Sequence, residues 1–248
     1  MVKLCYPVQL YATQYLAKRC LQLIDTDKLW VRDVIGQRIL EDIVNNRIFR
    51  RVIKNIVSGV SQHPLRIPLP AADEAQDREQ VTRFLDDLQD YGFIPEYSIR
   101  PGDPTLLILH KPLTPYNLSF LSGRWLEEYV VHSVFEALAP YSPDSLKWDY
   151  LYRAKYGWLR QVDGEIDCFV LLNDMPIVVE SKTGHTNEKA VRKFARLASK
   201  LAVPRSFAVF VTVCPVAETA DSTEMVTIVS PRRFREYFSD IVGQIVAA

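Results

Sequence analysis

The sequence carries no excess charge of either sign. Its 30 lysines and arginines balance 30 aspartates and glutamates, so attraction to a polyanion has to come from local patches rather than from the molecule as a whole. It also lacks cysteines paired at metal or redox spacing. Cys5, Cys20, Cys168 and Cys214 are scattered, which excludes a zinc-finger or thioredoxin-type motif and leads us to expect the reduced, packed thiols of a cytoplasmic protein. Long apolar runs are missing too. The strongest, FAVFVTVCPVA, is about half the ~20 residues that span a bilayer, and residues 1–20 lack the apolar core and small-residue cleavage site of a secretory signal. No glycine-rich phosphate loop, nucleophilic triad, internal repeat or low-complexity tract is present. His63, His110 and His132 fall at no metal-cluster spacing, and His185, after KTG, reads either as an exposed loop residue or as one that reaches the site described below.

What is present describes a folded, soluble protein: 48% of the 248 residues are apolar and 11% aromatic. That length suits two domains, which we expect at 1–112 and 113–248. Residues 7–24 carry apolar side chains at helical spacing. From Leu29 the pairs Val34/Ile35, Ile39/Leu40, Ile43/Val44, Ile48/Phe49, Val52/Ile53 and Ile56/Val57 predict one long amphipathic helix ending near Gly59. No strand is expected in residues 1–60. The stretch SQHPLRIPLPAADEAQD reads as a linker. A helix over 78–91 and two strand-like runs, FIPEYSI and TLLILHK, then suggest a winged-helix-like hairpin unit. That helix carries Asp77, Glu79, Asp86, Asp87 and Asp90, a poor surface for phosphates, so packing or dimerisation is favoured over DNA reading.

After a second linker-like stretch, PLTPYNLSFLSG, the pattern becomes regular: helix 123–139, three strands, helix 187–202, two strands and a closing helix over 231–246. That order predicts an α/β fold with a mixed sheet flanked by helices. Within it, GEIDCFVLLNDMPIVVESKTG places acids and a lysine in apolar strands. Glu180 and Lys182 share a face because they are two apart. A two-residue turn at Asn173 and Asp174 pairs Leu172 with Met175 and, by the same register, Asp167 with Glu180. Like charges held that close are destabilising unless a proton or a cation intervenes. A divalent metal on hard oxygen ligands fits this arrangement, and so does a surface hairpin with a harmless ion pair.

Asp167, twelve intervening residues and Glu180-Ser181-Lys182 resemble the core signature of the PD-(D/E)xK, or restriction-endonuclease-like, nuclease superfamily. Together with SFLSGRWLEEYV before them, GEIDCFVLL and VVESKTG are similar to the nuclease domain of CRISPR-associated effectors activated by cyclic oligonucleotides, over about residues 113–215. Two departures are plain. Ile166 stands where a proline often precedes the first acid, and residues 1–60 show no glycine-rich Rossmann-type sensor, so cyclic-oligonucleotide activation is not carried over.

The resemblance implies phosphodiester hydrolysis of DNA or RNA with Mg²⁺ or Mn²⁺, in prokaryotic antiviral defence. Asp167, Glu180 and the Ser181 carbonyl would hold the metal, and Lys182 would orient water or stabilise charge at phosphorus. In the family the preceding helix adds an acid. Here Glu127 or Glu128 could serve; a buried stripe of Leu126, Val130, Val134 and Ala137 puts Glu127 at its edge and Glu128 on the far side, so Glu127 is expected. Asn187 is a candidate cap for a helix displaying Lys189, Arg192, Lys193, Arg196 and Lys200, which reads either as a nucleic-acid contact or as an ordinary solvated face. The other readings are a catalytically silent module of this fold that binds nucleic acid or a protein partner, and a homodimer made by the helical N-terminal region.

Overall fold

The computed structural model describes residues 10–59, 65–68, 75–100, 106–141, 146–158, 161–214 and 226–247; Cys5 and His63 lie outside them. It is an α/β fold whose main sheet is six-stranded, mixed and flanked by helices. Two compact units divide the chain: Met1–Trp30 with Val130–Ala248, and Val31–Tyr129. The division differs from the linear expectation of 1–112 and 113–248 because the N-terminal segment folds onto the C-terminal sheet.

That first unit holds the sheet β1-β5-β6-β7-β8-β9, formed by Gln22–Asp25, Trp148–Trp158, Gln161–Leu172, Met175–Lys182, Ala208–Thr212 and Thr227–Val229. β1 corrects the expectation that residues 1–60 contain no strand: it pairs antiparallel with β5, with a bulge between Leu23 and Asp25. β5, β6 and β7 are antiparallel neighbours, whereas β8 and β9 continue in parallel. Near-continuous apolar runs in β6, β7 and β8 follow from covering both faces.

On one face α1 (Leu10–Lys18) and α7 (Glu188–Lys200) bury Ala12, Leu16, Val191, Phe194, Ala195 and Ala198 against Leu151, Phe169, Leu171, Val178 and Phe210. The buried Asp149 carboxylate pins α1 there by accepting the Ala12 N–H at 2.9 Å, supplying one of the acceptors that a helix start lacks. On the other face lie the C-terminal part of α6 (Trp125–Leu138) and α8 (Pro231–Ala247). There Phe135 packs edge-on to Tyr150 at 4.9 Å, and Arg235 of α8 pairs with Glu136 of α6 at 2.7 Å.

The unit Val31–Tyr129 contains α2 (Val34–Asn45), α3 (Arg47–Ser58), α4 (Ala75–Asp90), α5 (Pro115–Ser119) and a three-stranded antiparallel sheet ordered β2-β4-β3. Its strands are Leu65–Pro68, Leu106–Leu109 and Tyr97–Ile99 respectively. Three expectations are corrected. The single long helix is two, because Asn46 leaves the helical region (φ −115°, ψ 115°), closing α2 with its own N–H and capping α3 by accepting from the Ile48 N–H. The first supposed linker contains β2, and the second contains α5, whose Thr114 and Asn117 form a reciprocal capping pair. Phe49 stacks on Phe84 at 4.1 Å and Phe93 on Phe120 at 3.6 Å in this unit's own core.

Candidate active site

The β6–β7 register follows from its turn. Asn173 and Asp174 both take positive φ, 46° and 65°, the two-residue geometry that matches strand twist. Pairing then runs from Leu172↔Met175 to Cys168↔Val179. Asp167 and Glu180 are next on their strands, and here side chain replaces backbone: the Ser181 N–H donates to Asp167 Oδ2 at 2.7 Å. β8 still holds the other edge of β7, from Val178↔Ala208 to Lys182↔Thr212. Glu180, Ser181 and Lys182 therefore stand on a strand fixed along one edge, with the Asp167 carboxylate against the opposite edge.

Lys182 Nζ lies 2.6 Å from Glu180 Oε1 and 4.0 Å from Asp167 Oδ2, so the three side chains share one face as their spacing predicts. Exposure rises across the group, from 8% for the Asp167 side chain through 18% for Glu180 to 42% for Lys182. Two carboxylates thus meet one ammonium near the C-terminal end of β7, in a half-dry setting. Such an imbalance is resolved by a proton, a second cation or partial exposure.

Tyr156 of β5 is a neighbour that the sequence pattern did not flag. It pairs with Gly164, and a Cβ added there would collide with the Tyr156 hydroxyl, so the ring lies across β6 at a position only glycine leaves open. Desolvation first, and then the charges of Glu180 and Asp163, push its phenol above the ordinary range. A tyrosine two residues before the β5–β6 turn, opposite a glycine, was the available signal. Arg153, also unforeseen, takes positive φ (45°) within β5 and bridges Asp27 at 2.8 Å and Glu165 at 3.2 Å.

The helix that carries the expected third acid departs from its amphipathic description. Glu128 is not on a solvated far side: it is fully buried, paired with Arg124 at 3.2 Å and accepting the Val31 N–H at 3.3 Å. α6 is buried nearly all round, so a helical wheel with one wet face misplaces its acids. Glu127 is half-buried in the first turn of α6 and belongs to the unit Val31–Tyr129.

α7 forms where the cap predicts, with the Asn187 side chain accepting from the Ala190 N–H at 3.0 Å. Lys189, Arg192, Lys193, Arg196 and Lys200 are all exposed, and Arg192 is paired with Glu188 at 2.5 Å. The N-terminal part of this stripe lines an open depression of about 600 Å³ with Asn187 and Glu188. The five residues from Thr183 to Asn187 connect Lys182 to this helix. A contact between the hydroxyls of Thr186 and Thr212, at 3.3 Å, ties that connection to β8. His185 is exposed, and His132 is buried edge-on to Phe135.

As a donor set, Asp167 and Glu180 suit a hard divalent cation. Among the described residues no three His, Cys, Asp or Glu side chains converge on one point. Two carboxylates are nonetheless the usual protein share of a Mg²⁺ site, where water and substrate phosphate oxygens complete the octahedron. The residues present therefore fit Mg²⁺ or Mn²⁺ bound together with a phosphate ester rather than in a closed protein cage.

No protein-family model matches the sequence, and no curated protein matches it. Among solved structures the fold is similar to that of protein VC1899 from Vibrio cholerae, with a TM-score of 0.60 and 14% identity over 95% of this chain. The match spans 61% of the Vibrio chain, and at that identity it speaks to fold alone. Among the described residues no helix is long and apolar enough to cross a membrane.

Proposed function

We propose that the protein is a divalent-metal-dependent nuclease of the restriction-endonuclease-like type, hydrolysing phosphodiester bonds of DNA or RNA. The observation that carries the reading is the break in β6–β7 pairing, where a buried Asp167 carboxylate meets Glu180 and Lys182 on one face. A hairpin built only for stability would continue its backbone ladder and avoid opposed acids.

Asp167 and Glu180, with the Ser181 carbonyl, would hold Mg²⁺ or Mn²⁺. When bound, such an ion supplies Lewis acidity to a phosphoryl oxygen and makes a coordinated water more acidic. Glu180 would then turn from Lys182 to the cation, freeing the ammonium to orient the attacking water or to offset charge growing on the phosphate. The Ser181 N–H fixes the Asp167 carboxylate, so that it need not reorganise on binding. Lys189, Lys193, Arg196 and Lys200 of α7, exposed beyond the loop that follows Lys182, would hold the sugar-phosphate backbone without reading bases.

A second reading, a catalytically silent module that binds nucleic acid or a protein partner, is favoured by one observation: Lys182 already closes on Glu180 at 2.6 Å. One experiment separates the two. Purified protein is incubated with single- and double-stranded DNA and RNA in Mn²⁺, Mg²⁺ or EDTA, beside Glu180→Ala. Metal-dependent cutting that disappears in the variant is the expected result; a folded wild type that cuts none of the four substrates in either metal leaves the silent module.

A further inference from the structure

We infer that α3, in the unit Val31–Tyr129, is a second polyanion site whose ligand is a nucleic-acid backbone. The helix RIFRRVIKNIVS has four cations and no acid in 12 residues. Phe49, Val52, Ile53 and Ile56 are buried, while Arg47, Arg51 and Lys54 are exposed. Spaced at i, i+4 and i+7, these three make one face about 10 Å long.

The position of the cations runs against local stability. Arg47 opens the helix, and Arg50 and Arg51 follow within its first five residues, where the positive end of the helix dipole favours acids. Arg50 has a structural reason to be there, because its Nη1 donates to the Ile43 and Val44 carbonyls at the end of α2, at 2.8 and 2.5 Å. Arg47, Arg51 and Lys54 have none of that kind: among the described residues they make no ion pair or hydrogen bond. α7 provides the contrast, since there Glu188 occupies the first turn and neutralises Arg192. A local rule broken with no compensating interaction among the described residues points to a functional surface.

Charge in this unit is segregated by helix. α4 carries Glu79, Asp86, Asp87 and Asp90 against Arg78 and Arg83, and Arg38 of α2 pairs with Asp87 at 2.6 Å, whereas Arg47, Arg51 and Lys54 of α3 pair with no acid among the described residues. The acidic α4 therefore argues against phosphate contact through α4 alone, not through the whole unit. No large apolar side chain of α3 is exposed, so the face has nothing to insert into a bilayer and does not suit a membrane. Two arginines and a lysine in line on one helix face suit phosphate oxygens in series. This inference does not rest on the nuclease reading, because it concerns binding and different residues.

The test uses the full chain in EDTA, so that binding is read without cleavage. Fluorescence anisotropy follows a labelled DNA duplex of about 20 base pairs, and the matching single-stranded RNA, across a salt series. Replacing Arg47, Arg51 and Lys54 together by glutamine is expected to lower affinity at least about tenfold at low salt. The slope of log K against log salt should flatten by about 3, roughly one unit for each phosphate that a cation no longer neutralises. Thermal melting checks folding, and the variant should melt no lower than wild type, because glutamine is as good a helix former and the dipole conflict is relieved. A slope that stays within about 0.5 of wild type on both probes overturns the inference and leaves any binding to α7. A polyglutamate competitor that displaces the nucleic acid through these same residues with equal affinity overturns it in favour of an acidic protein partner. Because EDTA keeps the assay free of metal, loss of binding is read apart from any loss of cutting.

Discussion

Two clusters in this protein use the same residue types for opposite ends. In one, Arg124 and Glu128 pair inside a helix turn with side chains 5% and 0% exposed, and the Val31 N–H takes a further carboxylate oxygen. In the other, Asp167, Glu180 and Lys182 stand near the C-terminal end of β7 with exposure rising to 42%, two carboxylates sharing one ammonium. The first is sealed, and it ties α6 to the backbone at Val31. The second is partly open to solvent, with both carboxylates turned to the same lysine. A sealed pair marks structure, whereas clustered acids only partly buried mark a candidate site.

The contrast can be broken from the sealed side. Arg124→Met should remove the guanidinium that faces the buried Glu128 carboxylate and lower stability by about 3–5 kcal/mol, read from urea unfolding. A loss below about 1 kcal/mol would mean that Glu128 has another route to neutrality and that the sealed cluster is not what holds the unit. On the open side, Glu180→Gln should change stability by no more than about 1 kcal/mol, since Lys182 keeps Asp167 nearby. The same change should cut metal-dependent cleavage by about 100-fold or more, worth roughly 3 kcal/mol in the transition state. Equal losses of stability and activity in that variant would erase the distinction drawn above. Ser181→Ala sharpens it further. The Ser181 hydroxyl is buried with no partner among the described residues, so its removal should raise stability by about 1 kcal/mol while the backbone N–H goes on serving Asp167. The smallest effect is a reactivity. Cys168 is fully buried and its thiol is pushed well above the usual range by desolvation and then by Asp167, so iodoacetamide at neutral pH should label exposed Cys20 and spare Cys168 until the fold opens. Labelling of Cys168 in the folded protein would reveal opening of β6 next to the site.

How much of this was legible beforehand depends on what each residue's neighbours are. The hairpin could be read because a two-residue turn fixes register, which holds as expected from Leu172↔Met175 to Cys168↔Val179, one step short of Asp167 and Glu180. α7 could be read from its cap and its single wet face. β1 could not, since QLID is a four-residue edge strand whose pairing is set by β5 rather than by its own periodicity. The break at Asn46 was hidden because apolar spacing continues across it into α3, and only the cap geometry reveals it. β2 lies in a proline-rich stretch that argues against a strand, and edge pairing with β4 outweighs that signal. Glu128 was misplaced because helical periodicity assumes water on one side, and α6 has almost none.

The carboxylate of Asp149 that holds the start of α1 has a temporal consequence. Its partner, the Ala12 N–H, lies 137 residues away along the chain. During synthesis the segment around Ala12 and Leu16 leaves the ribosome long before β5 exists, while Val31–Tyr129, with its own aromatic core, is completed in between. The first helix must therefore wait, its apolar side uncovered, until translation has delivered most of the sheet. Such delayed, distant closure slows folding and invites chaperone capture or aggregation. Pulse proteolysis of stalled nascent chains should find α1 protected only after β5 and β6 have emerged.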